Sequence, residues 1–239
     1  MGRLQTRILR VMHPSMNPLE LTGRAATHVS DAAASGARLH VAAIDAVNAL
    51  REAAARAGHD LAIVSAFRDF ARQSGIWNRK FRGEQAVYDR GGQPLDVAAM
   101  SGPERVRAIL IWSGVPGSSR HHWGTDFDVM DRAAVTPDYR PQLTVAEYTG
   151  TGPFVRLNEW LAANLGNYGF FRPYRTDRGG VSPEPWHLSY APLSVPTLQA
   201  LTLDVLKEAI EGSAIEGREH VLAQLPDIYD RYVASIDPP

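Results

Sequence analysis

The spacing of apolar and polar positions predicts four helices in the central part of the chain. Apolar residues recur every three or four positions, as on one face of a helix, in segments 38–57, 69–81, 101–114 and 153–168. Gly58, Gly114 and Gly169 stand where a helix ends, and Asp69 and Ser101 stand where an N-cap belongs. Each predicted helix is therefore bounded by at least one local signal.

Short apolar runs between these helices predict strands. Leu61–Ser65 is bounded by glycine and charged residues, which favours a buried strand. Residues 127–130, at the end of a later motif, are also predicted to form a strand. Residues 170–174 are expected at a sheet edge, because Pro173 has no N–H to donate to a ladder. Residues 83–100 contain adjacent glycines and a proline and are predicted to form a loop or a small hairpin.

The two ends of the chain have a different pattern. The segment before the first helix contains prolines, glycines and only short apolar stretches, which predicts an arm that packs on the domain. Near the other end, residues 197–211 and 216–235 are predicted to be helical, and Pro226 is expected to kink or restart the second of these. The predicted organisation is an N-terminal arm, a central domain and a C-terminal helical extension, over residues 1–36, 37–192 and 193–239.

Composition limits the chemistry that the chain can perform. Its 239 residues, 44% of them hydrophobic, suffice to bury a full core. The formal net charge of −1 does not provide the basic surface of a nucleic-acid-binding protein, so no nucleic-acid partner is expected. The absence of cysteine excludes disulfides and thiolate nucleophiles, and it leaves His, Asp and Glu as the strong metal ligands.

The sequence also bears on the cellular location. No segment approaches the roughly 20 apolar residues of a membrane span, so no transmembrane segment is expected. The first ten residues carry positive charge, but the apolar run of roughly 7–15 residues that defines a signal peptide does not follow them. The sequence indicates neither an export route nor an oligomeric state.

Two short motifs contain the residues of a possible metal centre. The first is Ser-Arg-His-His-Trp-Gly-Thr-Asp-Phe-Asp over residues 119–128, and the second is Glu-Pro-Trp-His over residues 184–187. Imidazole and carboxylate groups together provide the ligands and the general base of a catalytic zinc site. The remaining histidines are expected to be ordinary surface or core residues: His13, His28, His40, His59 and His220.

Regular geometry does not choose the ligands within the first motif. His121 and Asp128 are seven positions apart, so an unbroken strand would point them to opposite faces. Gly124 is where the period is expected to break. By spacing alone, His122 with Asp126 or with Asp128 would serve equally well.

The second motif also requires an irregular backbone. Glu184 and His187 are three positions apart, a spacing that would place them on one face of a helix. Pro183 and Pro185 oppose a helix and favour extended backbone. Trp186 is expected to form a wall of the site and to lower its dielectric constant.

These residues resemble the zinc-dependent D-alanyl-D-alanine carboxypeptidases of the vancomycin-resistance type, which share a core with the zinc domain of hedgehog proteins. The family pattern Ser-x-His-x-x-Gly-x-Ala-x-Asp, followed by Glu-x-Trp-His, is matched by Ser119, His121, Gly124, Asp128, Glu184, Trp186 and His187. Residues 65–68 with Gln73 are similar to the family's Ser-Gly-Tyr-Arg and its following glutamine. The departure in the first motif is Asp126, where the family has alanine.

The resemblance implies an α+β fold, in which a small antiparallel sheet carries a zinc site between flanking helices. It implies that residues 37–192 are a zinc peptidase domain whose Zn²⁺ is held by His121, Asp128 and His187. Glu184 is implied as the general base and acid. Arg68 is implied to face the reacting oxyanion or the terminal carboxylate of the substrate, and the sequence does not choose between the two.

The same resemblance implies the substrate and its surroundings. Ser119, Gln73 and Trp186 are implied to contact or orient the substrate, which would be the peptide stem of bacterial peptidoglycan cut beside a D-alanine. Such a substrate places the protein at the cell envelope or in the periplasm. The alternatives are a peptidoglycan endopeptidase on the same core and a non-catalytic zinc-binding module.

Overall fold

The centre of the fold is a four-stranded antiparallel sheet in the order β3-β4-β6-β5. The computed structural model describes residues 16–239. The strands are β3 Leu61–Ser65, β4 Asp126–Asp131, β5 Phe170–Phe171 and β6 His187–Tyr190. This α+β arrangement confirms the predicted fold class, and the short β5 lies at an edge as expected.

The register between β4 and β6 separates polar from apolar side chains. Asp126 pairs with Ser189 and Asp128 with His187, so these four side chains share one face of the sheet. The residues between them, Phe127 and Leu188, point to the other face and are fully buried in the hydrophobic core. The same pairing thus builds a core on one side and a polar site on the other.

Helices cover the apolar face of the sheet. They are α2 Ile44–Arg56 and α6 Val155–Asn164. Val47 and Leu50 of α2 and Leu157 and Leu161 of α6 are fully buried in the cluster that contains Phe127. The three- and four-residue spacing in the sequence corresponds to these buried faces.

The predicted start of the first helix is wrong. Ala37–His40 forms strand β2, which pairs with β1 Val29–Ala32, and α2 begins only at Ile44. Gly36, with φ of +66°, lies in the hairpin turn before β2. Leu39 is buried in the strand. A single apolar residue fits both the helical and the strand periodicity, so the pattern predicted a helix that began too early.

The N-terminal arm is described only in part. Its first fifteen residues lie outside the described part of the chain. After them come α1 Pro18–Leu21 and strand β1. The amide N–H of Phe70 donates to the carbonyl oxygen of Gly23, so this region contacts the start of the helix that begins at Phe70.

A second hydrophobic cluster joins the C-terminal helices to the centre of the chain. Its helices are α3 Phe70–Phe81, α4 Gly102–Leu110, α7 Ala191–Ala200, α8 Leu203–Glu211, α9 Arg218–Ala223 and α10 Leu225–Ile228, followed by a π-helical turn at Tyr229–Ala234. Trp77 and Ile109 are fully buried against Leu206, Ile210 and Val221. The predicted extension therefore shares a core with α3 and α4, and its boundary at residue 193 stays a prediction.

Among residues 16–239, no helix has the length and apolar character needed to cross a membrane.

Hydrogen bonds of Asp237 connect the C-terminal residues to the loop that precedes the second motif. The carboxylate of Asp237 accepts hydrogen bonds from the amides of Arg175 and Thr176 and from the Thr176 hydroxyl, each at 2.8 Å. Its own amide donates to the carbonyl oxygen of Pro173 at 2.9 Å. The same loop is tied to Glu184, whose amide donates to the carbonyl oxygen of Tyr174 at 2.8 Å.

Replacing Asp237 by alanine should destabilise the protein, because three donors lose a buried acceptor. We expect a loss of about 1–3 kcal/mol in the free energy of unfolding, measured by chemical denaturation. The matched control is Asp230→Ala, since Asp230 is exposed and should change stability by less than about 0.5 kcal/mol. Equal stability of the two variants would contradict this role of the tail.

Candidate functional site

Three side chains from both motifs converge at the polar face of the sheet. One ligand atom from each of His121, Asp128 and His187 lies within 4.8 Å of the others, and all three residues are buried. His121 lies in a 3-10 turn that ends at Gly124, whose φ is +64°. Gly124 therefore breaks the strand period, as predicted, before β4 places Asp128 on the same side.

In both His121 and His187, one ring nitrogen is hydrogen-bonded to a neighbouring group. The other ring nitrogen is therefore available to a metal. His121 Nδ1 lies 3.0 Å from the carbonyl oxygen of Ala66, and His187 Nε2 lies 3.2 Å from Asp126 Oδ1. The free nitrogens, His121 Nε2 and His187 Nδ1, lie 3.5 and 3.2 Å from the carboxylate of Asp128. Such outer hydrogen bonds are typical of metal-binding histidines.

The carboxylate of Asp128 could accept a metal ion. Its Oδ1 is buried without a hydrogen-bond partner among the described residues. A buried polar atom without a partner is costly, and a cation would satisfy it. Two imidazoles and one carboxylate are also a donor set that Zn²⁺ accepts. These residues therefore fit the metal that the resemblance implies.

His122, the alternative ligand, does not join this group. Its Nδ1 lies 2.6 Å from the carbonyl oxygen of Arg68, and its Nε2 accepts from the amide of Gly117 at 3.0 Å. The side chain is fully buried, and burial lowers its pKa to about 4. With both nitrogens bound to backbone, His122 connects two loops of the site.

Asp126 is the hydrogen-bond partner of His187, a candidate ligand residue. It is fully buried and accepts from Arg120 Nε at 2.7 Å and from the Thr125 hydroxyl at 2.6 Å, beside its contact with His187. Arg120 also donates to the hydroxyl of Ser189 at 2.8 Å. Although burial opposes ionisation, Arg120 and His187 hold the pKa of Asp126 below its usual value.

Glu184 lies against His187, the third candidate ligand residue. Its Oε2 is 3.3 Å from His187 Nδ1, and burial raises the pKa of the Glu184 carboxyl. Burial alone would lower the pKa of His187, yet Asp126, Asp128 and Glu184 together raise it well above the usual value. These three carboxyl groups create a negative potential that favours a cation at this position.

Arg68 occupies the other side of Asp128. Its Nη2 lies 3.9 Å from Asp128 Oδ2, and its Nη1 donates to Gln73 Oε1 at 3.2 Å. Gln73 is 1% exposed, and its amide nitrogen donates to the carbonyl oxygen of Gly114 at 2.9 Å. The structure therefore places Gln73 where it fixes the guanidinium. Ser119 is buried at the start of the turn that carries His121.

A cleft of about 820 Å³ opens onto these groups. Arg68, His121, Asp128 and Glu184 line it, and Trp186 forms part of the wall, as predicted. Other wall residues were not identified from the sequence: Ile76, Lys80, Tyr88, Trp112 and Ser113. The usable signal for Lys80 is its spacing, because it follows Gln73 by seven positions on α3 and so lies on the same helix face.

Comparisons with known proteins agree with the motifs. Residues 36–193 match the family model described as VanY, D-alanyl-D-alanine carboxypeptidase. An uncharacterized Haemophilus influenzae protein is 34% identical over 121 residues, which is 50% of this chain and 92% of that protein. The putative carboxypeptidase YodJ of Bacillus subtilis is 24% identical over 151 residues, which is 62% of this chain and 44% of that protein.

Solved structures show the same fold. VanYB in complex with D-alanine-D-alanine has a TM-score of 0.51 at 20% identity, over 78% of this chain and 89% of that chain. A mutant of the vancomycin-resistance D,D-pentapeptidase VanY in complex with Zn(II) has a TM-score of 0.51 at 20% identity, over 82% and 92% of the two chains. The family match spans most of the chain and contains both motifs. The chain belongs to the VanY family of D-alanyl-D-alanine carboxypeptidases, hydrolases that act on the peptides of peptidoglycan.

Proposed function

We propose that this protein is a zinc-dependent carboxypeptidase that removes the terminal D-alanine from peptidoglycan stem peptides. The observation that carries the proposal is the buried group of His121, Asp128 and His187, with Glu184 beside His187 at the base of a cleft. The family match and the solved complexes with Zn(II) and with D-alanine-D-alanine support the metal and the substrate.

His121 Nε2, His187 Nδ1 and the carboxylate of Asp128 would hold the ion. Bound Zn²⁺ would supply Lewis acidity, which activates water and polarises the scissile carbonyl. Glu184 accepts the proton of the attacking water and delivers it to the nitrogen of the leaving D-alanine as the C–N bond breaks. The raised pKa of its buried carboxyl suits this transfer, because a protonated Glu184 is then a stable intermediate state.

The walls of the cleft provide the remaining chemistry. Arg68 lies beside Asp128, and its Nε is buried without a hydrogen-bond partner among the described residues. We assign it to the carbonyl oxygen of the scissile bond, where its positive charge stabilises the developing negative charge. Trp186 stacks on Trp112, with ring centroids 6.1 Å apart, and excludes water from that side. Orientation of the peptide by Ser119 stays a prediction.

Glu184→Ala should keep zinc and lose hydrolysis. Removal of a general base lowers kcat by about 10²- to 10⁴-fold, measured on a stem pentapeptide, while metal analysis should still find one zinc per protein. His121→Ala should lose the zinc as well as the activity. Unchanged turnover by Glu184→Ala would contradict the mechanism.

His122→Asn is the control for the choice of ligands. It should reduce stability, because two backbone groups lose buried partners, but the folded protein should still bind zinc. Loss of zinc from this variant, with zinc retained by His121→Ala, would show that the ligand assignment is wrong. Hydrolysis of intact sacculi without release of D-alanine from free stems would instead indicate an endopeptidase.

Asp126→Ala should weaken zinc binding by about 10- to 100-fold, because His187 loses the acceptor that fixes its ring. Asp126→Asn keeps an acceptor oxygen and should lose less affinity. Competition with a chelating dye measures the zinc affinity of both variants, after thermal melting has confirmed that each variant is folded. Asp138→Ala, at an exposed position, is the matched control. Wild-type zinc affinity in both Asp126 variants would exclude this role.

A further inference from the structure

The cleft contains a second cation that the proposed mechanism does not use. Lys80 lies on α3, partly buried, two helical turns beyond Gln73. Its side chain lines the same cleft as Arg68 and Glu184. Its Nζ donates a hydrogen bond to the hydroxyl of Ser113 at 2.6 Å. Ser113 thus fixes the ammonium group at the wall of the cleft.

The charge of Lys80 has no acidic partner in contact with it. Within residues 16–239, its Nζ contacts the hydroxyl of Ser113, and no carboxylate oxygen forms an ion pair with it. Its charged neighbours are Arg68, which repels it, and Glu184, which attracts it from beyond ion-pair distance. Burial and the nearby Arg68 lower the pKa of Lys80 to about 8. A partly desolvated ammonium group without a counter-ion is a favourable position for an anionic ligand.

Among the described residues, three cationic side chains line the cleft, and one of them, Arg90, is paired with Asp177 at 3.1 Å. The other two, Arg68 and Lys80, differ in their distance from the ligand group. Arg68 lies 3.9 Å from Asp128, whereas Lys80 contacts none of the three ligand residues and interacts instead with Ser113. A peptide cut at its last bond presents two negative centres, the developing oxyanion and the terminal carboxylate, separated by one residue. Two cations at different distances from the ligand group correspond to these two centres.

We propose that Lys80, held by Ser113, binds the terminal carboxylate of the peptide and so restricts the site to free chain ends. The inference rests on the proposed function and extends it, because it leaves Arg68 for the scissile carbonyl. It identifies Lys80 as the residue that distinguishes a carboxypeptidase substrate from an internal peptide bond.

The test compares wild-type protein with Lys80→Met on three zinc-dependent reactions. The substrates are a stem pentapeptide with a free C-terminus, the same peptide with a C-terminal amide, and a free-acid peptide whose side-chain carboxylates are amidated. Loss of one charge-assisted contact should raise KM for the free acid by about 10- to 100-fold in Lys80→Met. The amide should be a poor substrate for both proteins, and the substitution should change its rate little.

Two further measurements separate recognition from structure. Lys80→Arg keeps the charge and should recover part of the lost affinity, while Lys207→Met, at an exposed position, should behave as wild type. For the wild-type protein, kcat/KM on the free acid should fall relative to the amide as pH rises through about 8, where Lys80 loses its proton. Below that pH the ammonium is charged and binds the carboxylate.

Each remaining outcome contradicts a specific statement. Equal loss on the free acid and the amide would show that Lys80 acts on Glu184 or on folding, and it would overturn the inference alone. A loss that disappears when only the side-chain carboxylates are amidated would assign Lys80 to those groups instead, which also overturns it. Wild-type protein that is fully zinc-loaded and cleaves none of the peptides would overturn the proposed function and this inference together.

Discussion

The pairing of β4 with β6 is the constraint on which the site depends. Asp128 lies opposite His187 in this register, so two candidate ligand residues from distant parts of the sequence meet without any loop having to position them. Phe127 and Leu188 fix the register, because a slip by one residue would move them to the polar face and the carboxylates into the core. The energy of the hydrophobic core therefore also maintains the geometry of the site.

The second constraint is the burial of many charged groups in one small region. Removing ions from water is costly unless each has a partner. Arg120 and Asp126 form a fully buried pair at 2.7 Å, and this pair also provides the acceptor for His187. Asp126 departs from the family alanine, and Arg120 neutralises the additional carboxylate. By contrast, one oxygen of Asp128 accepts no hydrogen bond from the described residues, and the ammonium group of Lys80 has no ion-pair partner among them. Both groups lie at the cleft, where a metal and a substrate would bind.

Most regular elements could be predicted from local sequence. The helices α2, α3, α4 and α6 have clear periodicity and end signals, β3 is a short apolar run, and β4 alternates apolar residues with aspartates. The β1–β2 hairpin was missed because a four-residue strand with one deeply buried apolar residue looks like the first turn of the helix that follows. The sequence indicated the C-terminal helices but not their packing against Trp77 and Ile109, since no local pattern records which faces meet.

The site was predictable only in part, for similar reasons. Spacing could not choose between His121 and His122, because the choice depends on where Gly124 turns the chain and on which nitrogens the backbone occupies. The family pattern favoured His121, and the hydrogen bonds of His122 explain why it is not available. Lys80 shares a helix face with Gln73, but the sequence alone does not show that this face of α3 lines the cleft beside Glu184. Tertiary packing, rather than local sequence, determines these contacts.

The central claim is that the buried His-Asp-His group, together with Glu184, releases D-alanine from the end of a peptidoglycan stem. The most direct measurement incubates the zinc-loaded protein with a stem pentapeptide that ends in two D-alanines and identifies the products by mass spectrometry. Free D-alanine and a tetrapeptide are expected, with no cleavage at internal bonds. An intact pentapeptide at full zinc occupancy, or cleavage within the stem, would contradict the claim.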